Sequence, residues 1–295
     1  MESTVNHVKS EHVAKLHSKK HTARVTKIVT YALLVLLSVV FLFPFIWMVF
    51  AALKPENEIM AFPPSVFPKV WDFKNFGEVF KLIEFATFYK NTVFVTVLGV
   101  IGTVCSSTLV AYGFARLEAK GKNVWFVLLL ATMMLPTQVT MIPVYLIYSN
   151  LNLVNTFVPL VLGSYFGNAY YIFLMRQFFL TIPRELEESA YLDGAGVFGI
   201  FWHIMVPLSR PSIITVTLLS FMGFWNDFMT PLIYLNDTSK YTLALGIMQL
   251  KGSLNVTWGP LMAASLMVIV PVIIVFFIGQ KYFIEGIATT GSTGK

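Results

Sequence analysis

The chain has 295 residues, 56% of them hydrophobic and 12% charged, with a formal net charge of +6. A soluble domain carries about 25% charged residues, so a large soluble core is excluded. The apolar residues fall in blocks of about twenty or more, long enough to cross a hydrocarbon layer of about 30 Å. The expected fold class is an all-α polytopic membrane protein with six transmembrane helices. The basic balance does not call for nucleic acid, because the lysines and arginines are spread over loops and tail, as the positive-inside rule requires. The single cysteine, Cys105, lies inside an apolar run, so no intrachain disulfide can form.

Residues 1–26 read as a basic tail, with His7, His12, His17 and His21 at loosely helical spacing. A metal site is conceivable there; a solvated tail near anionic lipid headgroups explains the composition more simply. The tail is too long and polar to resemble a cleavable signal peptide. The first span is expected over about 29–53, bent at Pro44. A polar loop follows over 54–89. Trp71, Phe73 and Phe76 read as interfacial anchors, and 76–88 as an amphipathic surface helix.

The second span is expected over about 91–114. Its Gly99, Gly102, Ser106, Ser107 and Ala111 suit close helix approach in lipid. After a basic turn at 116–122 comes the third, 124–147, broken by Pro136 and Pro143. Polar Thr137, Gln138 and Thr140 between the prolines are tolerated where a helix faces protein or water. The fourth span, 156–179, carries Tyr165, Asn168, Tyr170 and Tyr171. These residues are candidates to line a cavity and touch a sugar, although interhelical packing and hydrogen bonding is the preferred reading.

The segment from Pro183 to Pro211 organises the chain. It holds three glutamates, an aspartate, two arginines and three glycines between two long apolar runs. Charges of that kind do not lie in hydrocarbon, so the segment is a loop at one membrane face. Two short helices with a glycine break are expected. Pro183 suits a first helical turn. Glu185, Glu187 and Glu188 suit the positive end of a helix dipole, and Leu186 and Ala190 share one face. Gly194 and Gly196 interrupt the helix, and the run 197–206 should stop before Pro207.

The fifth span is expected over about 211–234, with Trp225, Asn226 and Asp227 as further cavity candidates. The sixth covers about 260–283, followed by a glycine- and threonine-rich tail. Asp227 is the one acidic residue inside a predicted span. It could accept hydrogen bonds from sugar hydroxyls while Trp225 stacks on the ring, or it could pair with a neighbouring helix. Six spans put both termini on one side. With the termini and the 115–122 and 176–210 segments inside, 14 of the 21 basic residues are cytoplasmic. The bias places N- and C-termini and the 183–211 loop in the cytoplasm.

Glu188-Ser189-Ala190, Gly194, Ile204 and Val206-Pro207-Leu208 resemble the "EAA…G…I-LP" loop of ABC importer permeases. Ile182 to Leu186 and Asp193-Gly194-Ala195 resemble its carbohydrate branch, the maltose-type second permease subunit. Pro136, Ile142-Pro143, Trp225 to Phe228, Pro231, Trp258-Gly259-Pro260, Pro271, Gln280 and Gly286 extend the likeness from about Val25 to the C-terminus. Ser189 stands where the family usually has alanine, and the terminal 290–295 departs from the family's usual ending. The resemblance divides the chain into the 1–26 cytoplasmic tail and a 27–295 transmembrane domain, with a core permease region at about 87–284.

The resemblance implies a multi-pass inner-membrane permease that forms half of a carbohydrate pathway. It implies a second homologous permease, two ATPase subunits that hold ATP and Mg, and an extracellular or periplasmic sugar-binding protein. Glu185, Leu186, Glu188, Ser189, Ala190, Asp193, Gly194, Ala195 and Pro207 would form the ATPase-coupling loop. The chain itself would bind no cofactor and no metal and would catalyse no bond cleavage. It has no phosphate-cradling GxxxxGK[ST] stretch. Its remaining histidine, His203, reads as a packing residue. An ion-driven transporter would show paired broken helices and buried ionisable groups in both halves. A membrane enzyme would need a titratable constellation. Neither pattern is present in the sequence.

Overall fold

A computed structural model describes the backbone of residues 2–252 and 256–291 and the side chains of 24–252 and 256–281. The N-terminal histidines' side chains, Gly286's surroundings and the 292–295 ending lie outside the described residues. The described chain is helical and contains no strand. The principal helices are α1 (Glu2–Ala52), α2 (Lys74–Leu82), α3 (Phe85–Arg116), α4 (Lys122–Ala131), α5 (Thr137–Asn150), α6 (Ala169–Thr181), α7 (Glu185–Leu192), α8 (Val197–Leu208), α9 (Arg210–Trp225), α10 (Met229–Tyr234) and α11 (Trp258–Gly291). Four segments are individually long and apolar enough to cross a bilayer, and two sharply bent helix pairs raise the possible total to six.

Several boundaries differ from the sequence expectation. The α1 helix runs unbroken through Pro44. The expected surface helix at 76–88 is instead α2, and α3 starts at Phe85, six residues before the expected second span. Phe76 packs into the apolar cluster around Phe88 and Leu261, while Trp71 and Phe73 are exposed. The 32 residues of α3 extend about 48 Å, so this helix outruns the hydrocarbon core.

The third span is broken once. Leu135, next to Pro136, takes an extended conformation (φ −79°, ψ 116°), because proline's ring disfavours the helical region for the residue before it. The axes of the flanking helical segments differ by 98°. Pro143 lies inside α5 without breaking it.

Between α10 and α11 the chain packs back on α3 through short helical turns. Thr92 Oγ1 accepts from Leu243 N at 2.7 Å. Gly99 and Gly102 serve the close approach expected of them. A Cβ at Gly99 would lie 2.5 Å from the Phe224 ring, and one at Gly102 2.3 Å from Ser164 Oγ.

The end of the bundle near residues 52–75 is tied by polar bonds. Asn75 Nδ2 donates to Ala52 O and Lys54 O, satisfying carbonyls at the α1 terminus. Lys54 is buried, and its Nζ donates to Ser65 O. Glu56 accepts from Trp258 N and Gly259 N, both at 2.9 Å. Its carboxylate thereby caps the positive end of α11.

Candidate coupling loop and translocation cavity

The 183–211 loop forms the two short helices expected, but its edges are set differently. α7 is eight residues long, with Glu185, Glu187 and Glu188 in its first turn. Its C-terminus is a Schellman motif. Gly194 N donates to Tyr191 O at 3.0 Å, Ala195 N donates to Ala190 O at 2.9 Å, and Gly194 has φ +84°. A left-handed residue at this position favours glycine, and the two bonds satisfy carbonyls that the helix end leaves open.

The buried face of α7 runs through Glu187 and Ala190, not through Leu186, which is exposed. Ala190 and Ala195 pack with Ala111, Tyr112 and Ala115 of α3 and with Phe179 of α6. Ser189 is exposed, and its Oγ donates to Leu186 O at 3.1 Å. Pro207 does not end α8. The chain widens into a π-helical stretch over Phe201–Met205 and continues through Pro207 to Leu208. The wider turn relieves the clash of the proline ring with the preceding turn. The bend of 77° falls instead at Ser209, between α8 and α9. His203 is exposed, and its Nδ1 lies 3.0 Å from Gly199 O one turn earlier in the same helix, so the packing role expected of it is not seen.

Sequence reasoning placed Glu187 at a helix start and Arg116 in a basic turn but did not pair them. Arg116 is the last residue of α3, and its Nη2 donates to Phe179 O and Ile182 O at the end of α6. Its Nε stands 2.9 Å from Glu187 Oε1, and the two side chains are 3% and 10% exposed. The angle of this contact is poor for a hydrogen bond, so it is an ion pair. Burial raises the Glu187 carboxyl above its ordinary range, and Arg116 and Arg184 oppose that shift only partly. One arginine thus holds the ends of α3 and α6 and the buried face of α7 together. The available signal was weak: an arginine closing an apolar helix and a glutamate beside the motif.

The opposite face of the loop is apolar and open. Leu192 is 89% exposed and Phe198 71%, with Leu186, Tyr191 and Trp202 exposed around them.

The cavity candidates separate into two groups. Asp227 is not midway along a continuous helix. It lies in the break between α9 and α10, and its Oδ1 accepts from Thr230 N at 3.1 Å. It lines two cavities, of about 280 Å³ and about 590 Å³, which also share Gly163. Asn168 lines the smaller one and caps α6, accepting from Tyr170 N at 3.0 Å and Tyr171 N at 3.4 Å.

Tyr171 also lines the smaller cavity, whereas Tyr165, Tyr170, Trp225 and Asn226 fall outside both linings. Trp225 is buried, stacks on Phe221 and donates from Nε1 to Val268 O at 3.1 Å, so it belongs to the core. Asn226 is exposed and donates to Met222 O at 2.8 Å. Tyr165 packs over Gly102. Among the described residues no cluster of histidine, cysteine, aspartate and glutamate could hold a metal ion.

Residues 104–288 match the family described as binding-protein-dependent transport system inner membrane component. The chain belongs to that family. The matched stretch contains both the Arg116–Glu187 loop anchor and Asp227. The chain is 38% identical over 253 residues to the probable ABC transporter permease YurM of Bacillus subtilis, covering 85% of this chain and 84% of that one. It is 35% identical over 266 residues to the arabinooligosaccharide transport permease AraQ of the same organism, covering 88% and 93%. A solved bacterial ABC transporter that imports the acidic polysaccharide alginate superposes with a TM-score of 0.80 at 29% identity, covering 88% of this chain and 97% of that one. The expected ABC permease architecture is therefore the one this chain has.

Proposed function

We propose that this chain is one of two membrane subunits of an ATP-driven importer for a carbohydrate. Its spans form half of the translocation pathway beside a second homologous permease. The 183–211 loop faces the cytoplasm, as do both termini, and α7 docks in a cleft of an ATPase subunit. ATP and Mg reside on the two ATPase subunits, and a binding protein outside the membrane delivers the sugar. Closure of the ATPases moves α7 and α8, and the spans they join turn the cavities from one face to the other.

The observation that carries this reading is the two-sided construction of the loop. One face is anchored to α3 and α6 through Arg116, Glu187 and Ala190. The other presents Leu186, Tyr191, Leu192, Phe198 and Trp202 beside three exposed carboxylates, Glu185, Glu188 and Asp193, in a segment too charged for lipid. An exposed apolar patch on a rigidly held helix suits docking to another protein. The named relatives' arabinooligosaccharide and alginate substrates support a sugar as cargo.

The test is the double substitution Leu192→Asp and Phe198→Asp in the co-expressed complex. The ATPase subunits should be lost on purification while the second permease is retained. Retention of the ATPase subunits with undiminished uptake overturns the docking role.

A further inference from the structure

Asp227 stands where the two cavities meet. Their linings supply hydroxyls, amides and rings, among them Ser164, Asn168, Tyr171 and Ser220, but no lysine, arginine or histidine. The carboxylate is half-buried, and its Oδ1 accepts from Thr230 N. A carboxylate walled by low-dielectric side chains with no cation in the lining projects a negative potential into the space it faces. The Ser164 and Ser220 hydroxyls already donate to backbone carbonyls, so they offer lone pairs to a sugar, and the neutral groups around Asp227 do not sort sugars by charge. The carboxylate alone discriminates, because it accepts bonds from hydroxyl or ammonium groups and repels another carboxylate.

We propose that Asp227 is a charge-selecting residue, and that this chain's half of the pathway passes neutral or amine-bearing sugars and disfavours uronates. The inference rests on the cavities being the translocation pathway. A purely local role for Asp227 as a cap on α10 makes a different prediction, because asparagine caps a helix as well as aspartate.

Gly163 supplies the reporter position. It lines both cavities, and a Cβ built there meets nothing within 4 Å. Gly163→Cys is introduced with Cys105→Ala in the assembled complex, with and without Asp227→Asn. The introduced thiol is reacted with trimethylammonium-ethyl and sulfonato-ethyl methanethiosulfonate, and each rate is divided by that reagent's rate with a free thiol. Nucleotide-free and ATP-trapped complexes are both measured. With Asp227 present the cationic reagent should be favoured at least about fivefold. With Asp227→Asn the preference should fall toward unity, with the complex melting at the same temperature. A ratio near one with Asp227 in place, or a preference that Asp227→Asn leaves unchanged, overturns the charge selection while leaving the pathway reading standing. No labelling by either reagent in either nucleotide state overturns the pathway reading and the selection with it.

Discussion

Arg116→Met is expected to loosen α7 from the membrane bundle. The arginine makes three contacts: two bonds to carbonyls at the end of α6 and a 2.9 Å ion pair with Glu187 on α7. Each charged hydrogen bond contributes about 1.5–3 kcal/mol. Breaking a buried ion pair from one side costs about 3–5 kcal/mol, because the remaining charge stays buried. These contributions overlap, so the total expected is about 3–5 kcal/mol.

Local opening of α7 would then be eased by about 3 kcal/mol, or roughly a hundredfold in equilibrium constant. Hydrogen exchange of the Glu185–Leu192 amides in the intact complex reads this directly. Glu187→Gln keeps both carbonyl bonds and should cost about 1 kcal/mol. Arg116→Met combined with Glu187→Leu should recover much of the loss, since an apolar pair of similar volume often replaces a buried ion pair without penalty.

The pH dependence has a definite sign. Burial raises the Glu187 carboxyl above its ordinary value of 4.5, so the folded loop binds that proton more tightly than the unfolded chain. The contribution of Glu187 to loop stability is greatest below 4.5. It declines as pH rises through the raised value and is lost above it. Glu187→Gln should remove that decline. Exchange changed less than threefold by Arg116→Met, or a double substitution no better than the single one, would refute the anchoring role.

Gly194→Val places a β-branched residue at φ +84°; the cost should be about 1–2 kcal/mol, read as weaker ATPase co-purification with normal membrane insertion. Gly102→Val puts side-chain atoms into Ser164 and the Tyr165 ring and should destabilise the bundle by about 1–3 kcal/mol, seen as an earlier melt of the complex. Trp225→Phe removes the bond to Val268 O and should cost about 1 kcal/mol of stability, read as an earlier melt, with preference among sugars unchanged; an altered preference would return Trp225 to the pathway. In a Cys105→Ala background, Lys69→Cys and Lys251→Cys should react with impermeant thiol reagents from outside and Lys120→Cys should not. The reverse pattern would invert the topology.

The class of the molecule was legible in one dimension because hydrocarbon imposes a one-dimensional rule. Backbone polar groups must be satisfied within each span, so spans appear as long apolar runs and charged loops as their interruptions. Gly194 was legible for a similar reason: a left-handed helix end is a local need that glycine meets by itself, and the structure places it at φ +84°.

What tertiary structure alone decided involves partners distant in sequence. Arg116 and Glu187 are 71 positions apart, and their pairing depends on where α3 ends against α6. Leu186 and Ala190 satisfy the same helical periodicity, yet α7 buries Glu187 beside Ala190, because that arginine makes a buried carboxylate tolerable. Trp225, Asn226 and Asp227 are consecutive, and the break between α9 and α10 sends them to a core, a surface and a cavity. Proline's effect divided in the same way. Pro136 breaks its span, where the preceding residue is extended, whereas Pro207 is carried through a widened turn. Local chemistry names the residues that can bend, cap or ionise, and the packing of neighbouring helices selects which of them do.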